Sequence, residues 1–190
     1  MAHIEFVEPT PNPLAYKLIL DQKVTLGVTR QYSKKEDAFE NPLAVRFFDV
    51  HGVESVFFLD NVITVNKTQA GIWDFIFFMA QDIVMSAGEI VPIQDQATIQ
   101  TAPNISYGEF EKLGVEEKLS YIDKVFDEAI RPGLARDGGG LKIIGLKDNV
   151  LTVKYQGACG SCPSSTAQTL TYISNIVQSK VSPTLQVQPA

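Results

Sequence analysis

From Glu89 to about Gly114 the chain loses its hydrophobic periodicity. Pro92, the Gln-rich run Gln94 to Gln100, Pro103 and Asn104 fall within it. A stretch this polar and proline-interrupted reads as a linker, so the segments on either side must each build a core of their own. The expected organisation is two small domains of the α+β class, residues 1–88 and 114–190, joined by a linker over 89–113. With 190 residues and 45% hydrophobic composition, there is chain enough for both cores.

In the first half, Ile4 to Val7 begins a sheet and Pro9-Thr10-Pro11-Asn12-Pro13 makes a rigid turn with few free donors. Leu14 to Leu20 and Lys23 to Thr29 read as strands. Ser33 is placed to cap a helix over Lys34 to Phe39, and a second short helix runs from Leu43 to Phe48 after Asn41-Pro42. Val53 to Leu59 and Val62 to Val65 flank Asp60-Asn61, a pair that suits a tight hairpin. Ala70 to Met85 has a broad apolar face at helical spacing, and Trp73 and the phenylalanines are expected in its core.

The second half restarts with an amphipathic helix from Val115 to Ile130, which Pro132 kinks or ends. Asp137-Gly138-Gly139-Gly140 is a sharp turn whose three glycines suggest demanding geometry or close approach of another backbone. Leu141 to Leu146 and Val150 to Tyr155 form a hairpin about Asp148-Asn149. A helix carrying Ala167, Leu170, Ile173, Ile176 and Val177 on one face follows, then a last strand over Thr184 to Val187. The order α-β-β-loop-α-β implies a three-stranded sheet with helices on one face.

The only two cysteines, Cys159 and Cys162, lie in the loop between that hairpin and that helix. Pro163 suits the first helical turn, so Cys162 sits at a helix N-terminus, where free N–H groups and the helix dipole favour thiolate. Four readings compete. A mononuclear zinc or an iron–sulfur cluster normally takes four protein ligands, and one chain supplies two thiolates. His3 and His51, the only histidines, fall in the other half, so a metal or cluster shared between two copies, or with a partner, satisfies the count. A thioredoxin-like dithiol is the second reading, although the pair follows a hairpin and lacks the βαβ context. A structural disulfide is the third, disfavoured without a sign of secretion. Inert core cysteines are the fourth, opposed by glycine-rich neighbours that suggest an exposed turn.

Charge narrows the partners. Residues 1–113 carry 8 Lys+Arg against 15 Asp+Glu, a balance of −7, while residues 114–190 carry 8 against 7, a balance of +1. An acidic chain without a basic stripe is a poor nucleic-acid binder. No stretch is long and apolar enough to span a bilayer, and Met1 to Thr10 shows no secretory signal. A cytoplasmic protein is expected, with no membrane role; a processed organellar form fits the same residues.

The motif carries a resemblance. Ile130-Arg131-Pro132, Asp137-Gly138-Gly139, the hairpin, and Gly157-Ala158-Cys159-Gly160-Ser161-Cys162-Pro163-Ser164-Ser165 with Thr169-Leu170 resemble the Nfu domain of NifU-like iron–sulfur proteins across residues 114–190. Independently, Thr10-Pro11-Asn12-Pro13, Asn41-Pro42-Leu43-Ala44, Gly52-Val53, Val56-Phe57-Phe58, Ile63-Thr64-Val65 and Trp73 resemble the N-terminal domain that accompanies it. Gly140 departs from the family, which often has an acidic residue there. The resemblance implies a non-enzymatic carrier or late-acting scaffold. It receives an iron–sulfur cluster from the assembly machinery and transfers it to apo recipient proteins. The implied cluster is [4Fe–4S], with [2Fe–2S] the smaller alternative, bridging a homodimer through Cys159 and Cys162 of each copy. The alternative functional class is a dithiol redox protein using the same two cysteines.

Overall fold

A computed structural model describes residues 1–94, 105–160 and 163–190, the side chains of 163–166 apart. Most of the Gln-rich run, Pro103 and Cys162 lie outside the described residues. The architecture is α+β with two sheets and two hydrophobic cores.

The first sheet has five antiparallel strands in the order β1-β2-β5-β4-β3. They are β1 Ile4–Pro9, β2 Ala15–Leu20, β3 Thr29–Tyr32, β4 Val53–Leu59 and β5 Val62–Lys67. Because side chains alternate across a strand, Leu18, Leu20, Val56, Phe58, Ile63 and Val65 share one face and enter the first core. Lys17, Phe57, Thr64 and Asn66 are left on the other, hereafter the outer face. Helix α1, Pro42–Phe48, and helix α2, Trp73–Ala87, close the core through Phe47, Ile76, Ala80 and Val84. Asn41 starts α1 by accepting the Ala44 N–H at 3.1 Å, with Pro42 in the first turn.

Three expectations for this half are corrected. The strand expected over Lys23 to Thr29 is instead the four residues Thr29–Tyr32. Val24 and Thr25 both donate to Asp60 O, at 2.6 and 3.1 Å, which bends this segment away from ladder pairing. Ser33 caps nothing: a single 3₁₀ turn, Lys35–Ala38, follows Lys34 without a side-chain cap. Trp73 does stack on Phe77 and meets Tyr16, at centroid distances of 5.2 and 4.7 Å. Phe75 and Phe78, however, point outward at 45% and 74% exposure, forming with Ile72 and Met85 an apolar stripe along α2.

The second core belongs to the other sheet, β6-β7-β8, with β6 Gly139–Lys147, β7 Val150–Gly157 and β8 Gln186–Pro189. The β6–β7 hairpin turns at Asp148 and Asn149, both at positive φ, as their residue types allow. Strand β8 then runs parallel to β7. Within the stretch expected as linker, helix α3, Tyr107–Lys112, forms because Ser106 and Glu109 make a capping box, and it delivers Phe110 to this core. Helix α4, Val115–Ala129, supplies Ile122, Val125 and Phe126; helix α6, Pro163–Lys180, supplies Ile173 and Val177. Between them lies the short helix α5, Arg131–Arg136, with Pro132 in its first turn. Arg131 ties it back to α4 and the sheet. Its guanidinium reaches Asp123 at 2.6 Å, Asp127 at 2.5 Å and the Leu141 carbonyl at 3.3 Å. Burial opposes that charge, but the carboxylates of Asp123 and then Asp127 outweigh it and raise the Arg131 pKa.

Candidate functional site

Strand β7 ends on Gly157, whose φ of +62° turns the chain out of the ladder. A side chain there would also meet Gly138 O at 2.4 Å. One 3₁₀ turn, Ala158–Gly160, follows, and α6 begins at Pro163 as the sequence predicts. Cys159 therefore sits between the end of a strand and the start of a helix. Cys162 lies outside the described residues.

The expected exposed turn is not what forms. Cys159 is only 7% exposed and belongs to the second core. Its Sγ lies against Gly139, where an added Cβ would stand 2.4 Å from the sulfur. Gly139 is thus bare because sulfur occupies the space. Tyr155 is the aromatic neighbour. Burial first, and then the charge of Cys159, pushes its phenol up to about 12.

The rest of the covering comes from the first half, the sheet and its β1–β2 turn. Asn12 Nδ2 donates to Ala158 O at 3.0 Å, across 146 residues of chain. The Gly157 N–H donates to Gln31 Oε1 at 2.7 Å, and the Thr29 hydroxyl to Gln156 Oε1 at 3.3 Å. Lys17 Nζ donates to Arg136 O at 2.9 Å. Phe57, on the outer face, lies against two glycines: an added Cβ would come within 2.8 Å of its ring at Gly140 and 2.9 Å at Gly157. Beside Phe57 in register, Thr64 is fully buried, and its hydroxyl has no hydrogen-bond partner among the described residues.

Asn12, Thr29, Gln31, Phe57 and Thr64 were not legible as site residues from sequence. One signal existed. In the β4 alternation, Phe57 is a large aromatic on the face opposite the core, and such a side chain needs a cover. The histidines stay in the first half, where His3 pairs with Asp21 at 3.0 Å. Among the described residues, no three His, Cys, Asp or Glu side chains gather where a metal could sit. The thiolate donors of one chain remain the two cysteines.

Fold and site together define a two-core protein in which one sheet leads into the Cys159 turn and the other lies over the residues beside it. Comparison with known proteins gives this class a family. The model for the scaffold protein Nfu/NifU N terminal matches residues 4–89, and the NifU-like domain model matches residues 122–188. The human protein called NFU1 iron-sulfur cluster scaffold homolog, mitochondrial, is 31% identical over 172 residues, covering 90% of this chain and 65% of its own. The Drosophila ananassae protein of the same name is 30% identical over 176 residues, covering 90% of this chain and 58% of its own. This chain thus spans less than two thirds of the length of these relatives. A crystal structure of a Staphylococcus aureus protein aligns with 43% of this chain and 96% of its own at TM-score 0.39 and 22% identity. The chain belongs to the Nfu-type, NifU-like family.

Proposed function

We propose that this protein is an iron–sulfur cluster carrier, or late-acting scaffold, with the cluster as cargo rather than a resident cofactor. Its parts are an N-terminal domain over residues 1–88, a connecting segment over 89–113 and a cluster-binding domain over 114–190. The observation that carries the reading is the Cys159 turn, seated between strand and helix inside the segment that matches the NifU-like model. The scaffold role printed in the names of the human and Drosophila relatives supports it.

Cys159 and Cys162 are the ligands. Two copies bring four thiolates, the number a [4Fe–4S] or [2Fe–2S] cluster takes from protein, so the cluster joins a homodimer. A site held together by its own cargo opens when the copies part. Thiolates of an apo recipient then replace Cys159 and Cys162 stepwise, each incoming sulfur displacing one. No bond in the cargo need be made or broken by a side chain acting as acid or base, so the role is delivery without turnover. The assembly machinery is the donor, and the setting is cytoplasmic or, as in the relatives named mitochondrial, that of a processed organellar form. No described helix is long and apolar enough to cross a membrane.

The test is anaerobic loading with ferrous iron and sulfide, followed by Mössbauer and absorption spectra and solution mass, beside Cys159→Ser and Cys162→Ser. One [4Fe–4S] cluster per two chains, lost in both variants and bleached within minutes to hours by a ferrous chelator, is expected. Failure to bind iron, with a monomer whose two cysteines cycle as a disulfide, transfers the assignment to the dithiol class. Zinc in anaerobically isolated protein would instead mark a structural dimer.

A further inference from the structure

The turn that carries a ligand meant to meet its copy in a second molecule is held here against the chain's own first half, through the residues beside Cys159. The covering is built, with three side chains of the first sheet and one of its β1–β2 turn making hydrogen bonds. Asn12 holds the Ala158 carbonyl, Gln31 the Gly157 amide, Thr29 the Gln156 side chain, and Lys17 the Arg136 carbonyl. Shape agrees with polarity. Phe57 rests on Gly140 and Gly157, and Lys17 and Thr10 lie where a side chain on Gly138 would stand, at 2.8 and 3.1 Å. A glycine at four positions, 138, 139, 140 and 157, brings turn, sulfur and first sheet to backbone-contact distance.

We infer that the outer face of the first sheet is an intramolecular seat for the cysteine turn, and that it competes with the cysteine turn of a second copy for the same surface. The purpose of that competition, control of cluster-bridged pairing, rests on the carrier reading; the seat and the competition do not. Ala158 and Gly157 are buried by the seat, so two turns cannot approach until both chains release theirs. The pairing constant then falls with the square of the open fraction: if one chain in ten is open, pairing weakens about a hundredfold. Undocked chains load and pair; docked chains keep the Cys159 turn from a second copy.

The seat is also imperfect in a way that favours release. The buried Thr64 hydroxyl, on the outer face between Lys17 and Phe57, has no partner among the described residues in the docked state and gains water when the halves part. Release therefore has a local driving force, and the seat has one residue that loosens it and several that tighten it. Opposite variants follow. Gly140→Glu places a side chain against the Phe57 ring at a strand position of ordinary φ, so it opens the seat without straining its own strand. Thr64→Val removes the orphan hydroxyl while keeping the branched shape that a strand favours, so it closes the seat further.

The experiment uses the full chain, reduced and metal-free, in a Cys162→Ser background, so that Cys159 can form a disulfide only with another molecule. Diamide is the oxidant, taking two electrons and two protons as two Cys159 thiols join. Its rate of producing linked dimer reads how often two turns meet. Hydrogen exchange at the Gly157 amide, the donor to Gln31, reads the seat. Gly140→Glu is expected to speed exchange by about threefold and linking by about tenfold, and Thr64→Val to slow exchange by about threefold and linking by about tenfold, the second factor being the square of the first. If Gly140→Glu fails to fold, as judged by near-ultraviolet dichroism, Thr29→Ala takes its place, since it deletes the donor to Gln156 and leaves the acceptor of the Gly157 amide in place. Exchange at Gly157 unchanged in every variant overturns the seat. Exchange that shifts while cross-linking stays constant overturns the competition. Should both shift as expected while no chain in the Cys162-containing background binds iron, the seat and competition stand and only the carrier reading fails.

Discussion

Two groups of glycines allow close approach, one in each half, and they serve different ends. Gly52 and Gly71 face each other within the first half, where a Cβ on Gly52 would stand 2.4 Å from the Gly71 Cα. Both partners are backbone of the same core, so this contact closes a fold. Gly139, Gly140 and Gly157 instead meet Cys159 Sγ and the Phe57 ring. There the space is taken by a candidate ligand and by the other half of the molecule, so the contact closes a site. A glycine in a sequence announces that something lies close; only the identity of its neighbour says whether architecture or chemistry needs it.

Substitution by alanine tests the distinction. Gly52→Ala carries the largest expected effect, because φ is +91° and the obstacle is backbone that cannot rotate away. A loss of about 3 kcal/mol or more is expected in denaturant unfolding, with the first core melting before the second. A loss below about 1 kcal/mol would break the comparison, since the supposed architectural glycine would then tolerate a side chain.

Gly139→Ala comes next. The obstacle is a side-chain sulfur, which can move, so the stability cost is expected at about 1–3 kcal/mol. Its sharper signature is Tyr155. In the folded protein the phenol keeps its proton to about pH 12, whereas in the unfolded chain it releases it near about 10. The stabilisation is complete below pH about 10 and is lost as pH rises toward about 12, so alkaline unfolding should begin in that window. Displacing Cys159 removes the smaller cause, its charge, and leaves burial. The Tyr155 titration, isolated from the other tyrosines by subtracting a Tyr155→Phe spectrum, should therefore move down only part of the way. A titration unmoved by Gly139→Ala would mean that the sulfur had not been displaced.

Gly145→Ala is the smallest effect and of opposite sign. Nothing lies within 4 Å of its missing Cβ, so alanine should stabilise by about 0.5 kcal/mol through the unfolded chain alone. A destabilisation above about 1 kcal/mol there would show that its bulge, and not its neighbours, requires glycine.

What was legible in the sequence follows the range of the interactions. The Asp60-Asn61 and Asp148-Asn149 hairpins, Asn41-Pro42 at the start of α1 and the amphipathic α4 all rest on contacts within a few residues, and all form. The capping box Ser106 to Glu109 was equally local, yet it hides in a stretch whose proline and glutamine content reads as linker. The strand expected over Lys23 to Thr29 fails because Asp60, some 35 residues away, takes its amides. The Cys159 turn is the extreme case. Its place between strand and helix is written in adjacent residues, but its burial depends on Asn12, Gln31 and Phe57, and no period in a sequence registers such partners. The third glycine of Asp137 to Gly140 came nearest, implying a close backbone approach without naming the phenylalanine that makes it.

The outward stripe of Ile72, Phe75, Phe78 and Met85 on α2 has a colloidal consequence. At neutral pH a net charge of −6 keeps molecules apart, so a sticky stripe is tolerated. Toward the isoelectric point, near pH 4.9, that repulsion vanishes while the aromatic surface is unchanged. Solutions should turn turbid on mild acidification and clear again on return to neutrality, with the turbidity reduced in Phe78→Lys.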